Sequence, residues 1–298
     1  MTKQYVIAFS HAVSELLVVK AVRAYADARA SKIGGVELLH GDTRHGDLAQ
    51  QLAEVSAWID QGVDAIVVMP IDATALQPLV DRAHAKGIRL LSYAFPLPGS
   101  DGEAGFDSVV SGRVCGAAAA DFIRERFPAG GAQALVGGLA STPLFAPRWL
   151  EPIQAIEAAG GTVVVIGEGA TIETGRTETE KALRTHPDLS IVIGINDEFA
   201  VGAAQAFEAA GKDPARSFIC GQDGAPDGLR EIARGRHYKG TAAILLDQLG
   251  AAIVDMAINA IEGRPATISI PAEYVSLADA ARLSVLIAAF DRLGASSL

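Results

Sequence analysis

Polar side chains fall where the predicted strands of this chain end: Ser10, His11, Asp72, Tyr93, Asp107, Asn196, Asp197 and Asp223. An amide both donates and accepts hydrogen bonds, and a carboxylate only accepts. A mixed set of this kind suits a hydroxyl-rich ligand, because each hydroxyl is donor and acceptor at once. Asp72 and Asp197 also stand where a side chain can cap the following helix. No catalytic set accompanies them. Ser10, Ser92 and Ser141 lack the Gly-x-Ser-x-Gly elbow, the first strand is not followed by Gly-x-Gly-x-x-Gly, and Gly-x-x-x-x-Gly-Lys-Ser/Thr is absent. Gly137-Gly138 follows a strand, but the residues after it match no phosphate-binding motif. No Cys-x-x-Cys or His-x-x-x-His spacing suggests a metal, and no cofactor is implied. Cys115 and Cys220 lie in a helical and a strand pattern and read as buried free thiols.

The elements that must position these groups repeat. Ile191–Ile195 has the length and β-branching of a buried strand; it stops at Asn196-Asp197, and a helix pattern begins at once. The run A-I-V-V-M-P-I-D, Ala65–Asp72, aligns without gaps on Ser190–Asp197, 125 residues downstream. Strand-to-helix junctions of this kind are where open α/β sheets bind ligands. From Tyr5 the chain alternates strand and helix with short turns, which predicts parallel sheets with right-handed crossovers. Asp47 is expected to cap a helix that Gly62 ends. Phe95–Gly105, rich in Pro and Gly, reads as a loop, and the rhythm then resumes through Ile191 and Ser217–Cys220 to the polar turn Gly221-Gln222-Asp223-Gly224. A helix face formed by Leu245, Leu249, Ile253, Met256 and Ala260, an extended Thr267–Val275 broken at Pro271, and a last helix over Ala278–Leu293 complete the chain.

At 298 residues, half of them hydrophobic and a fifth charged, the chain suits two lobes better than one. A net charge of −10 argues against nucleic acid and anionic membrane surfaces as partners. No stretch reaches the roughly 18 apolar residues of a membrane span. Lys3 is followed directly by an apolar strand, so no signal peptide is read; the protein is cytoplasmic, or the sequence is a mature one with a start Met.

The runs N-D-E-F-A-V-G-A-A, G-Q-D-G-A-P-D-G-L and T-A-A-I-L-L-D-Q-L-G-A-A, with the first strand and G-V-D-A-I-V-V-M-P-I-D-A-T-A-L, resemble the periplasmic sugar-binding proteins of the ribose/galactose type. The resemblance covers nearly the whole chain in order. It implies an α/β protein of two Rossmann-like lobes with parallel sheets joined by a three-crossing hinge, the periplasmic binding protein type I fold. The lobes expected are residues 1–107 with 244–270, and 108–243 with 271–298. It further implies a monomeric periplasmic protein without catalysis that closes over a sugar or polyol and delivers it to an ABC transporter permease, its signal peptide removed. The same lobes form the effector domain of LacI-type repressors, but the strand starting at Tyr5 leaves no room for their DNA-reading helix-turn-helix. A Rossmann-type enzyme, the remaining reading, lacks a nucleophile and base.

Position by position, Asn196 and Asp223 match the family's hydroxyl-binding residues, and Arg148 its arginine after the first strand of the second lobe. The expected division of labour is Asn196 for the ligand and Asp197 for the helix cap. Ser14 stands where Asn is common, and Leu16-Leu17 where the family has an aromatic pair. Ala94-Phe95 replaces an Asp-Arg clamp on adjacent hydroxyls, and Ile244 replaces a Gln. Phe95 then offers an apolar face, while Ser10, His11, Glu15 and Asp107 supply polar contacts. The ligand expected is a small neutral sugar or polyol, with an amino sugar as the variant.

Overall fold

The chain is described by a computed structural model over residues 4–15, 17–140 and 142–295. Leu16 of the Leu16-Leu17 pair and Ser141 lie outside the described residues. The chain divides into two compact units. It passes from one to the other at Phe106–Asp107, Ile244–Leu245, Ile270–Pro271 and, inside the last helix, Asp291–Arg292.

The first unit holds β1 (Tyr5–Ser10), α1 (Leu17–Ile33), β2 (Val36–His40), α2 (Leu48–Gln61), β3 (Ala65–Val68), α3 (Ala73–Ala85), β4 (Arg89–Tyr93) and β5 (Glu103–Phe106). The second begins with α4 (Ser108–Arg126), β6 (Gln133–Gly138), α5 (Pro147–Ala158), β7 (Thr162–Glu168), α6 (Ile172–Thr185) and β8 (Leu189–Ile193). It continues through α7 (Asp197–Ala209), β9 (Phe218–Asp223), α8 (Pro226–Ala233) and β10 (Tyr238–Ile244). The chain then returns to the first unit for α9 (Leu246–Ile261) and β11 (Ile268–Ile270), and to the second for β12 (Ala272–Ser276) and most of α10 (Ala280–Ala295).

The two sheets share one plan. The first runs β11-β5-β4-β3-β1-β2, all parallel, and the second β12-β10-β9-β8-β6-β7, parallel except for β12 against β10. Within each unit the first five strands therefore take the order 2-1-3-4-5, and the order reverses between the first and third. Open parallel sheets of this order bind ligands at that reversal, at the carboxyl ends of the strands. The repeat read from Ala65–Asp72 and Ser190–Asp197 is β3 and β8, the third strand of each unit.

Burial on both faces explains why these strands read as unbroken apolar runs rather than alternations. In the first unit Ile7, Phe9, Val67 and Leu91 pack with Val22 and Ala26 of α1 and Leu249, Ile253 and Met256 of α9. Their neighbours Ala8, Ile66, Val68 and Leu90 pack on the other face with Val55, Ile59, Leu76 and Val80 of α2 and α3. In the second unit Ile191, Ile193, Phe218 and Cys220 meet Cys115, Ala119 and Ile123 of α4 and Ile156 of α5. Cys115 and Cys220 are free, fully buried, and 3.2 Å apart at sulfur. Helices α6 and α7 approach through glycine: a Cβ on Gly175 would strike the Phe199 carbonyl, and one on Gly202 the Ile172 carbonyl.

Asp47 caps α2 by accepting from the Gln50 N–H at 3.0 Å, and Gly62 ends that helix at φ 75°. The loop after β4 is shorter than its composition suggests, because β5 already begins at Glu103. The polar turn expected at Gly221–Gly224 begins later too: Gln222 and Asp223 are still strand, paired with Ala242 and Ala243 of β10.

Candidate functional site

In the first unit the candidates gather around the ends of β1 and β4. Ser10, the last residue of β1, is fully buried, and its hydroxyl accepts from Gln51 Nε2 at 3.2 Å. The same Gln51 amide donates to the Met69 carbonyl at 2.8 Å and accepts from the Ile71 N–H at 3.0 Å. One side chain of α2 thus ties the loop after β3 to the end of β1. His11 is also fully buried, with Nδ1 2.7 Å from the Tyr93 hydroxyl and its ring stacked 6.0 Å from His40. Burial above all, then the nearby charges of Arg23 and His40, pushes the His11 pKa down to about 2. Burial likewise raises that of Tyr93. Both rings are therefore neutral at any ordinary pH.

Ser14 donates to Asp42 Oδ1 at 3.1 Å, and the Ser14 N–H donates to the Thr43 carbonyl at 2.9 Å. Glu15 Oε1 accepts from the His45 N–H at 3.0 Å and pairs with His45 Nδ1 at 2.8 Å, while Glu15 Oε2 is buried without a hydrogen-bond partner. Its own backbone N–H and the His45 contacts hold the Glu15 carboxyl below its usual range. Ahead of Phe95, Ala94 sits at φ 63°, a left-handed conformation that costs a non-glycine residue about 1 kcal/mol or more. The Ala94 N–H donates to the Ala104 carbonyl, and the Phe95 N–H to the Tyr93 carbonyl at 2.7 Å.

In the second unit Asp107 caps α4, its Oδ1 accepting from the N–H groups of Val109 and Val110 at 2.8 and 3.0 Å. Arg148, only 3% exposed, sits in the first turn of α5. It donates through Nη1 to Asp223 Oδ1 at 2.7 Å and to the Ile195 carbonyl at 3.3 Å. Its guanidinium also lies 5.1 Å from the centre of the Phe145 ring. Asp223 ends β9 at φ 104°, so this ion pair rests on strained backbone.

The cap expected of Asp197 belongs to Asn196 instead. Asn196 is the cap of α7: Oδ1 accepts from the Phe199 N–H at 2.9 Å, and Nδ2 donates to the Ala170 carbonyl at 2.8 Å. Asp197 is fully buried and accepts from the Tyr238 hydroxyl at 2.6 Å, the Thr241 hydroxyl at 2.7 Å and the Ala225 N–H at 2.5 Å. Burial first, and then the charge of Asp223, lifts the Asp197 pKa to about 8 against those donors. The reason is geometric. The cap is the residue just outside the helix with extended backbone, and Asn196, at φ −146° and ψ 179°, is that residue. Asp72, expected as a cap, is one, accepting from the N–H groups of Thr74 and Ala75.

A profile of the periplasmic binding protein domain matches residues 8–265. The chain belongs to the periplasmic binding protein family. The ribose import binding protein of Salmonella typhimurium is 28% identical over 229 residues, 76% of this chain and 75% of that one. An ABC transporter solute binding protein from Bacillus halodurans, solved with bound myo-inositol, superposes with a TM-score of 0.78 at 25% identity, covering 97% of this chain and 99% of its own. Another from Mycobacterium smegmatis, solved with bound glycerol, gives 0.77 at 26% identity over 94% and 96% of the two chains. The resemblance read from the sequence motifs therefore holds, and so does the two-lobed α/β fold it implied.

As a periplasmic binding protein the chain carries two side chains whose importance its composition conceals. Gln51 of α2 and Gln222 of β9 are both fully buried amides, one in each unit. Gln222 donates to the carbonyls of Arg148 and Gly194, each at 3.0 Å, and accepts from the Ser111 hydroxyl at 2.7 Å. A polar residue inside the apolar run F-I-C-G-Q-D was the available signal, since a buried amide must find partners. Among the described residues, no cluster of three or more His, Cys, Asp or Glu side chains could hold a metal ion.

Proposed function

We propose that this chain is the solute-binding protein of an ABC importer and holds a small neutral carbohydrate or polyol without turning it over. The observation that carries this reading is the Arg148–Asp223 pair on the carboxyl ends of the second sheet. Each charge there already cancels the other, so the pair offers no net charge to attract an ionic ligand. A guanidinium beside a carboxylate sets donors next to acceptors, the combination a vicinal diol satisfies. Relatives that carry ribose, myo-inositol or glycerol in their names or crystals support the same class.

We assign Arg148 and Asp223 as the primary ligand groups. Asn196 and Asp107 contribute what their capping bonds leave over. Ser14, Glu15 and Phe95 are the candidate groups of the first unit, and the unpartnered Glu15 oxygen is an acceptor suited to a hydroxyl or to the ammonium of an amino sugar. Ser10 and His11, buried and engaged with Gln51 and Tyr93, shape the ends of β1 and β4 rather than touch a ligand. The protein acts outside the cytoplasm, as a monomer, with a transporter permease as its partner.

A thermal-shift screen against pentoses, hexoses, inositols, glycerol, amino sugars and uronic acids tests the reading. Ligand at a hundred times its Kd stabilises the folded state by about 2.7 kcal/mol, a visible midpoint shift. Neutral sugars or polyols are expected to give it, and Arg148→Ala and Asp223→Ala each to weaken it by raising Kd. A shift from uronic acids alone, or one that neither substitution diminishes, overturns the assignment.

A further inference from the structure

We infer that Gln222 is the positioning residue of the ligand site in the second unit: one buried amide that holds Arg148 and Asp223 in register before any ligand arrives. The inference rests on the ligand assignment just made. Gln222 and Asp223 are adjacent in β9. The Gln222 amide donates to the backbone carbonyl of Arg148, and the guanidinium of that same Arg148 returns to Asp223 at 2.7 Å. The path closes into a ring, from amide to α5 backbone to guanidinium to carboxylate to β9 backbone.

The second amide hydrogen reaches the carbonyl of Gly194, two residues before Asn196. The amide oxygen takes the hydroxyl of Ser111, whose N–H bonds to the carbonyl of Asp107 at 2.9 Å. Gln222 therefore ties together the segments that present Asp107, Arg148 and Asn196, and it adjoins Asp223. The site demands two donors and one acceptor on a single side chain. Glutamine supplies them; glutamate has no donor when ionised, and methionine, of similar shape, has no donor and only a weakly accepting sulfur.

The benefit is pre-organisation. Asp223 is held at φ 104° and Arg148 is buried, so neither would keep its place unaided. Fixing both in the free protein removes an ordering cost that binding would otherwise meet. Gln222 never contacts the ligand, and its effect on binding must run through Arg148.

The test is a double-mutant cycle with Gln222→Met and Arg148→Met, using D-ribose and myo-inositol as probes, alongside crystal structures of the ligand-free wild type and Gln222→Met. Gln222→Met is expected to raise Kd about tenfold in the Arg148 background, and to have little further effect once Arg148 is Met, because both changes break one ring. Gln222→Glu serves as a second, isosteric variant and is expected to behave as Gln222→Met. In the ligand-free variant the Arg148–Asp223 contact is expected to be broken. Additive effects on Kd, or a Gln222→Met crystal in which that ion pair and the Asp223 backbone are unchanged, would overturn the inference and leave Gln222 a plain core residue. If neither probe binds the wild type, the ligand assignment falls, and the crystal comparison still decides the role of Gln222.

Discussion

Asn196 and Asp197 are neighbours in sequence with different structural duties, and each has a measurable cost. Asn196→Ala removes the cap of α7 and is expected to cost about 1 kcal/mol. Asp197→Ala strands a backbone N–H and two hydroxyls in the core, at about 3 kcal/mol or more. Urea denaturation of the two variants gives the order, and a larger loss from Asn196→Ala contradicts the assignment of roles. His11 supplies a pH test. It titrates near pH 6.5 in the unfolded chain and at about 2 in the folded one. Below pH 6.5 the unfolded chain binds the extra proton, so the stability His11 provides is complete above that pH and lost as pH falls toward 2. The loss is about 1.4 kcal/mol per pH unit. Asp197, raised from 3.8 to about 8, slopes the other way as pH rises between those values. The informative quantity is thus the difference between wild type and His11→Gln, which should shrink steadily from pH 6.5 to 4.5. A difference that does not change with pH places a proton on His11 in the folded protein. At this scale the sequence reading was weakest. It names polar residues at strand ends, but whether Asn196 or Asp197 sits one step outside α7 depends on backbone angles that neither residue type dictates.

At the level of elements, the reading was strongest where one physical signal ruled. The β-branched runs at Ala65 and Ile191 are fully buried third strands, and Asp47, Asp72 and Gly62 delimit helices as their side chains or their freedom of φ require. It failed where a tertiary partner overrode local composition. Gln222-Asp223 looks like a turn, but β10 pairs with both and keeps them in the sheet. Helix packing was equally hidden, because nothing in a helical pattern says which glycine meets another backbone. Gly175 and Gly202 do so where α6 crosses α7. Either Gly→Ala is expected to force these helices apart at a cost of about 1–3 kcal/mol. Gly105→Ala in β5, whose Cβ would stand 3.5 Å from the Glu103 carboxylate, should stay within about 0.5 kcal/mol of wild type. Melting curves of the three variants provide the comparison. An equal loss at Gly105 makes the effect a general glycine effect instead of a close-approach effect.

Taken whole, the molecule is two copies of one sheet plan on a chain that visits each unit more than once. That duplication was legible in the offset repeat, because burial on both faces imposes the same apolar run on β3 and β8. The candidate site was legible as a set of strand ends, but not as an ion pair braced by a buried amide, since Arg148, Gln222 and Asp223 meet only through the fold. The interleaving has its own test. A chain ending at residue 240 lacks α9, which covers the face of the first sheet formed by Ile7, Phe9, Val67 and Leu91. Hydrogen exchange on that fragment is expected to show unprotected amides in β1, β3 and β4, with protection kept in β6 and β8. Native-like protection in β1 would mean that α1 alone suffices to cover the face. The return of α9 and β11 to the first unit also sets a timetable. Synthesis runs at about 5–20 residues per second, so the first unit, begun first, waits on the order of ten seconds for its missing helix. Through that interval one face of the first sheet can close on α2 and α3, while the other, formed by Ile7, Phe9, Val67 and Leu91, waits for α9 as a sticky apolar surface.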